Sequence, residues 1–303
     1  MDTRPITPER LASSVIAVPP LARDSLLQLS EPENRKIAQF IESGGVSTLL
    51  YGGNAVFYHI RPSEYAALLG QLTEIVAEDT LVVPAVGPTY GLMMDQATVL
   101  QDFDFPTVMV LPQTDISDPA GRAAGIRRFA ESYGKPIVLY LKHDNWLPPE
   151  VVGKMHASGV ISWIKYAVVR DDPSQDDYLR AVMGQVPGEI VVSGIGEQPA
   201  IVHMRDFGVG SFTSGCVCVN PALSMRMLAS IKSSDYAAAE TIRQQFEGLE
   251  DLRNGINPIR VLHRAVELAG IADTGPMMPL LGEVEIAEIA KIAEAAETLR
   301  NIS

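Results

Sequence analysis

The chain alternates eight times between a short, nearly continuous apolar run and a longer amphipathic stretch, and this restricts its fold more than any other feature. The apolar runs are Ser14–Pro19, Val46–Gly52, Thr80–Val86, Thr107–Pro112, Ile137–Lys142, Val160–Val168, Glu189–Gly194 and Val209–Val219. Such runs suit parallel strands covered on both faces. The stretches between them carry helix signals. Ser63–Ala77 follows Arg61-Pro62, and Asp118–Tyr133 opens with an N-cap aspartate and a proline in the first turn. Pro148-Pro149 opens another, which ends near Gly159. Strands and helices repeating in one direction predict an α/β fold of the (β/α)8 TIM barrel kind rather than an open doubly wound sheet. After Pro221 only helical pattern remains, over Ala222–Leu252, Pro258–Ala269 and Glu283–Ile302. That is more than the single helix needed to close a barrel. The expected organisation is barrel strands and helices over 1–221, with a closing helix and C-terminal helical extension of the same domain over 222–303.

Composition narrows the function classes. The 303 residues are 47% apolar and 20% charged, enough for a large core, and barrels commonly reach this length as one domain. The formal net charge of −13 argues against nucleic acid or an anionic membrane as partner, while leaving room for a locally basic pocket. No window approaches the ~20 apolar residues of a membrane span. The Met-Asp-Thr-Arg-Pro start lacks the apolar stretch of a signal peptide, so a cytoplasmic location is expected. Cys216 and Cys218 lie two apart in an apolar run. On a strand they would share a face, and they read as reduced, buried thiols. The five histidines, His59, His143, His156, His203 and His263, show no metal spacing and lie in helical or loop-like, polar surroundings. No metal and no cofactor is expected, and no phosphate loop or nucleophile elbow is present.

Barrel active sites sit at the C-terminal ends of the strands. Late in the sixth run, alternation puts Ile161, Trp163, Lys165 and Ala167 on one face. Burial there would lower the pKa of Lys165 and supply a neutral amine able to attack a ketone. A lysine snorkelling at a strand end or paired with an acid fits the pattern equally well. Tyr140 ends the fifth run, one strand away, about 5 Å across a parallel pair. It is either a proton shuttle beside Lys165 or a core tyrosine with its hydroxyl at the rim. Gly52, Gly53 and Asn54 follow the second run and could present backbone N–H groups to a carboxylate, or form a plain glycine turn. Gly194 and Glu197 after the seventh run, and Ser214 on the eighth, could meet a polyhydroxylated substrate or serve ordinary turns. Lys142 lies on the face of Tyr140 and reads as a substrate cation or a solvated lysine.

The order of these pieces resembles the dihydrodipicolinate synthase / N-acetylneuraminate lyase family over roughly residues 14 to 300. That family carries Gly-Thr-Thr-Gly-Glu after its second strand, tyrosine on the fifth, a Schiff-base lysine on the sixth and a Ser-Gly-rich eighth. Here stand Gly52-Gly-Asn-Ala55, Tyr140, Lys165 and Gly208-Val-Gly-Ser-Phe-Thr-Ser-Gly215, with Asn257-Pro-Ile259 and Leu268-Ala-Gly270 like its C-terminal helices. The resemblance implies an imine between Lys165 and pyruvate or another 2-oxo (sugar) acid, with Tyr140 relaying protons. Gly53 and Asn54 would hold the carboxylate. Glu197 falls where the sialic-acid lyase branch binds a hydroxyl, and Ser214 near a substrate serine. The resemblance further implies a homo-oligomer, tetramer or dimer. The departures are specific. Gly53 and Asn54 replace both loop threonines, Val56 stands at the loop glutamate, the fourth strand ends without tyrosine, and no arginine follows Tyr140. Lysine biosynthesis is therefore not the expected role. The run Ile164-Lys-Tyr-Ala167 is closer to the 5-dehydro-4-deoxyglucarate dehydratase branch, and an aldolase of a 2-keto-3-deoxy sugar acid is the other enzymatic reading. A catalytically idle oxo-acid-binding regulator is the reading outside enzymes.

Overall fold

The computed structural model describes residues 1–303. Eight parallel strands close a barrel in chain order. They are β1 (Ile16–Ala17), β2 (Thr48–Tyr51), β3 (Leu81–Val86), β4 (Met109–Val110), β5 (Ile137–Leu141), β6 (Ile161–Tyr166), β7 (Val191–Ser193) and β8 (Ser211–Ser214). Because β1 pairs with both β2 and β8, no sheet edge is left unpaired. Each apolar run yields a strand shorter than the run itself, since its ends turn into the helices that cover the barrel.

A short helix, α1 (Pro8–Ala12), precedes β1. The crossovers that follow β1 to β7 are α2 (Glu31–Ser43), α3 (Pro62–Glu74), α4 (Tyr90–Leu100), α5 (Pro119–Tyr133), α6 (Pro149–Ala157), α7 (Asp177–Met183) and α8 (Ala200–Asp206). The Asp118 carboxylate accepts the N–H groups of Ala120 and Gly121, as its N-cap pattern implied. After β8 come α9 (Pro221–Lys232), α10 (Tyr236–Gly255), α11 (Pro258–Leu268) and α12 (Ile286–Arg300). One apolar cluster of 73 buried residues fills the barrel and the layer beneath its helices. A second, of 11 residues, joins the C-terminal helices and includes Phe246, Leu249, Val261 and Ile292.

Three local expectations are corrected. The helix expected over Ala222–Leu252 is two helices, α9 and α10. Ser234 takes a left-handed φ of 62°, and the Asp235 side chain caps α10 by accepting Ala238 N–H. Serine and aspartate side chains compete for backbone groups and so favour caps over helix interior. The run Val209–Val219 stays a strand only to Ser214, after which Cys216–Cys218 form a 3-10 turn. The Ser214 hydroxyl accepts Val217 N–H and starts that turn, so the cysteines are not on a strand. Both are buried and unbridged. Finally, His203 and His263 are buried rather than in polar surroundings. His203 packs against Tyr166 of β6 and bonds the Ser193 hydroxyl of β7, and His263 bonds the Asn54 carbonyl, contacts that local polarity does not register.

Candidate active site

At the C-terminal mouth of the barrel lies a cavity of about 230 Å³ that contains Lys165 and Tyr140. Four larger hollows, of about 600, 700, 430 and 300 Å³, contain neither. Strand register places Tyr140 of β5 directly opposite Lys165 of β6. The Lys165 Nζ stands 4.6 Å from the centre of the Tyr140 ring. On the other face of β6, the Tyr166 hydroxyl donates to Asp176 at 2.7 Å, which anchors the strand from outside.

Lys165 is 5% exposed, and no carboxylate pairs with it. Burial, followed by the nearby charges of Lys142 and Arg253, lowers its pKa to about 7. Desolvation and like charge both disfavour the ammonium form. Burial has the opposite effect on the Tyr140 phenol, pushing its pKa up and keeping it protonated. The mouth therefore holds a part-neutral amine and a neutral phenol in contact, which is a nucleophile beside a proton donor. A second phenol, Tyr58, lines the same cavity and is pushed up to about 12 by burial. It comes from the loop after β2.

The Gly52–Ala55 turn closes the opposite wall. The N–H groups of Gly53 and Asn54 donate to nothing within the chain, while Val56 N–H folds back to Gly53 C=O. Val56 itself adopts a left-handed φ of 53°, an unusual state for a β-branched residue. Two distant groups hold the turn. The Asn54 side chain donates to Val18 C=O at 2.8 Å, and His263 Nε2 of α11 donates to Asn54 C=O at 2.9 Å. Burial lowers the His263 pKa to about 4, so this imidazole is neutral.

Of the residues singled out from sequence, Lys165, Tyr140, Gly53, Asn54, Lys142 and Gly194 line this one cavity. Gly194 is there for space: a Cβ on it would stand 2.9 Å from Lys165 Cγ and 2.8 Å from both Ala167 Cβ and Tyr166 C=O. Gly52, Glu197 and Ser214 do not line the cavity. Gly52 is buried against Met109, where a Cβ would come within 2.5 Å of the methionine Cε. Glu197 is 0% exposed and turned away from the mouth. It accepts the hydroxyls of Ser214 at 2.7 Å and Ser224 at 2.5 Å. Its backbone N–H donates to Glu250 of α10 at 2.9 Å. Burial raises the pKa of both glutamates, and the neighbouring Glu197 raises that of Glu250 further. Ser214 is committed to this carboxyl pair and to the turn after β8. The expected roles of Glu197 and Ser214 in binding substrate hydroxyls therefore find no support in where the fold puts them.

Sequence reasoning missed Tyr58, His263, Glu250 and Arg253. Arg253, near the end of α10, lines the cavity beside Lys165. The only available signal was its position shortly before the Asn257-Pro258 helix start. No group of three or more His, Cys, Asp or Glu side chains is placed to hold a metal ion, and no helix is long and apolar enough to cross a membrane.

No family model matches the sequence, and no curated protein does. Solved structures do match in shape. A dihydrodipicolinate synthase from Bacillus clausii is 21% identical with a TM-score of 0.83, over 95% of this chain and 98% of that one. One from Oceanobacillus iheyensis is 20% identical with a TM-score of 0.84, over 97% and 98%. A sialic acid aldolase from Ruminococcus gnavus is 12% identical with a TM-score of 0.82, over 95% and 97%. The chain therefore has the (β/α)8 barrel with C-terminal helices that is seen in dihydrodipicolinate synthase and sialic acid aldolase structures.

Proposed function

We propose that the chain is a divergent member of the dihydrodipicolinate synthase / N-acetylneuraminate lyase family and a cofactor-free class I lyase acting on pyruvate or a related 2-oxo acid. The observation that carries this reading is Lys165, an unpaired, buried amine with a pKa of about 7, in contact with the Tyr140 ring. Neutral Nζ adds to the C2 ketone. Loss of water from the carbinolamine then gives a protonated imine, with the Tyr140 phenol moving the proton that the leaving hydroxyl needs. The imine draws electrons from the bond being broken, so aldol cleavage, condensation and dehydration can all proceed through it. The free N–H groups of Gly53 and Asn54 would hold the C1 carboxylate. The reading includes a cytoplasmic homo-oligomer of two or four copies.

Incubation with pyruvate and borohydride, followed by intact mass, tests it. Hydride reduces the imine to a stable secondary amine, so wild type should gain one pyruvate-sized adduct and Lys165→Ala none. Absence of the adduct in wild type, or its persistence in the variant, would contradict the imine with pyruvate.

A further inference from the structure

The cavity that holds Lys165 is lined by three basic side chains, Lys142, Lys165 and Arg253, and by no Asp or Glu side chain. This is unexpected in a chain of net charge −13, where a surface hollow should expose acids. None of the three forms a salt bridge. Glu197 and Glu250 lie buried behind the wall, burial raising the pKa of both, and neither forms an ion pair with Lys142, Lys165 or Arg253.

Two contacts orient Arg253. Its Nε donates to Pro258 C=O at 3.2 Å, and Nη1 lies 3.8 Å from Cys216 Sγ, leaving Nη2 without a partner. The guanidinium lies over Gly215 at the end of β8, where a Cβ would stand 2.6 Å from Nη2. Lys142 reaches the same cavity from the end of β5, two residues after Tyr140.

We propose that Arg253 and Lys142 form a second anion subsite, so that the substrate is a 2-oxo acid carrying a second carboxylate. This rests on the imine reading for the C1 end: the turn N–H groups take one carboxylate and the guanidinium with the ammonium takes the other. Arginine presents paired donors that match a carboxylate, which suits it to reading this group. The 230 Å³ cavity is below the usual range of about 300–1,000 Å³ for drug-sized ligands and fits a small acid.

Wild type, Arg253→Met and Lys142→Met are incubated with 2-oxoglutarate, 2-oxoadipate and their one-carboxylate counterparts 2-oxopentanoate and 2-oxohexanoate. Borohydride then traps the adduct, and intact mass gives the half-saturating concentration. For the dicarboxylates this should be lower by about tenfold or more, with the gap closed in Arg253→Met and narrowed in Lys142→Met. For the one-carboxylate acids either substitution should shift half-saturation far less than for the dicarboxylates, since there it removes only the like charge beside Lys165. Adducts that form with equal half-saturation in both classes would overturn the subsite and leave the imine reading standing. Should no acid form an adduct, the imine reading falls, and thermal shift with glutarate against pentanoate decides the subsite alone. Stabilisation by glutarate that is lost in Arg253→Met supports it; no difference between the two acids overturns it.

Discussion

Lys165 combines two properties that ordinarily exclude each other, deep burial and the absence of any counter-charge. The free energy of that arrangement appears in its pKa, lowered from 10.5 to about 7. Two consequences belong to this residue. First, only the neutral amine attacks a ketone, so the initial rate of borohydride trapping should rise as pH is raised through about 7 and level off above it. A midpoint near the ordinary lysine value would show that the amine is not desolvated. Second, the unfolded chain holds the proton up to pH 10.5 while the folded chain releases it at about 7. Lys165 therefore costs stability below that window, and the cost fades as pH rises through it. Lys165→Met should stabilise the fold by roughly 4 kcal/mol at pH 7, with the gain shrinking towards pH 10.5. Urea unfolding at both pH values checks the sign: a gain independent of pH would place its origin in packing instead.

At the scale of elements, the site depends on how closely β6 and β7 approach. Gly194 leaves no room for a methyl between Lys165, Ala167 and the Tyr166 carbonyl. Gly194→Ala should force these strands apart, costing about 1–3 kcal/mol and slowing trapping by about tenfold or more. Unchanged trapping in a stably folded variant would show that Lys165 tolerates displacement. This dependence between elements also explains what was legible in the sequence. The Asp118-Pro119 cap and the alternation that puts Trp163 and Lys165 on one face are local signals the structure reproduces, whereas a register shift at the start of β6 moves Ile161 off that face. Glu197 and Ser214 stand at the ends of the right strands, yet the Glu197 carboxylate turns to Ser214 and to Ser224 of α9, while Glu250 of α10 takes its backbone N–H. Arg253 arrives on the same helix, whose start was hidden inside one long helical pattern. Nothing local to these residues records that packing. The Gly52–Ala55 turn is intermediate: its glycines were legible, but its supports, Val18 and His263, were not.

The whole molecule couples a strongly acidic surface to a basic cavity at the barrel mouth. The C-terminal helices are part of that coupling, since α10 supplies Arg253 and Glu250, and α11 supplies His263. A barrel without them would keep Lys165 and Tyr140 but lose one wall of the cavity and the brace on the Asn54 turn. The central claim is that a single lysine among those at the mouth makes the imine. Peptide mass mapping of the borohydride-trapped pyruvate adduct tests it most directly, because Lys142 lines the same cavity and is the natural competitor. The modification should fall on Lys165 alone; an adduct on Lys142, or spread over surface lysines, would contradict the account.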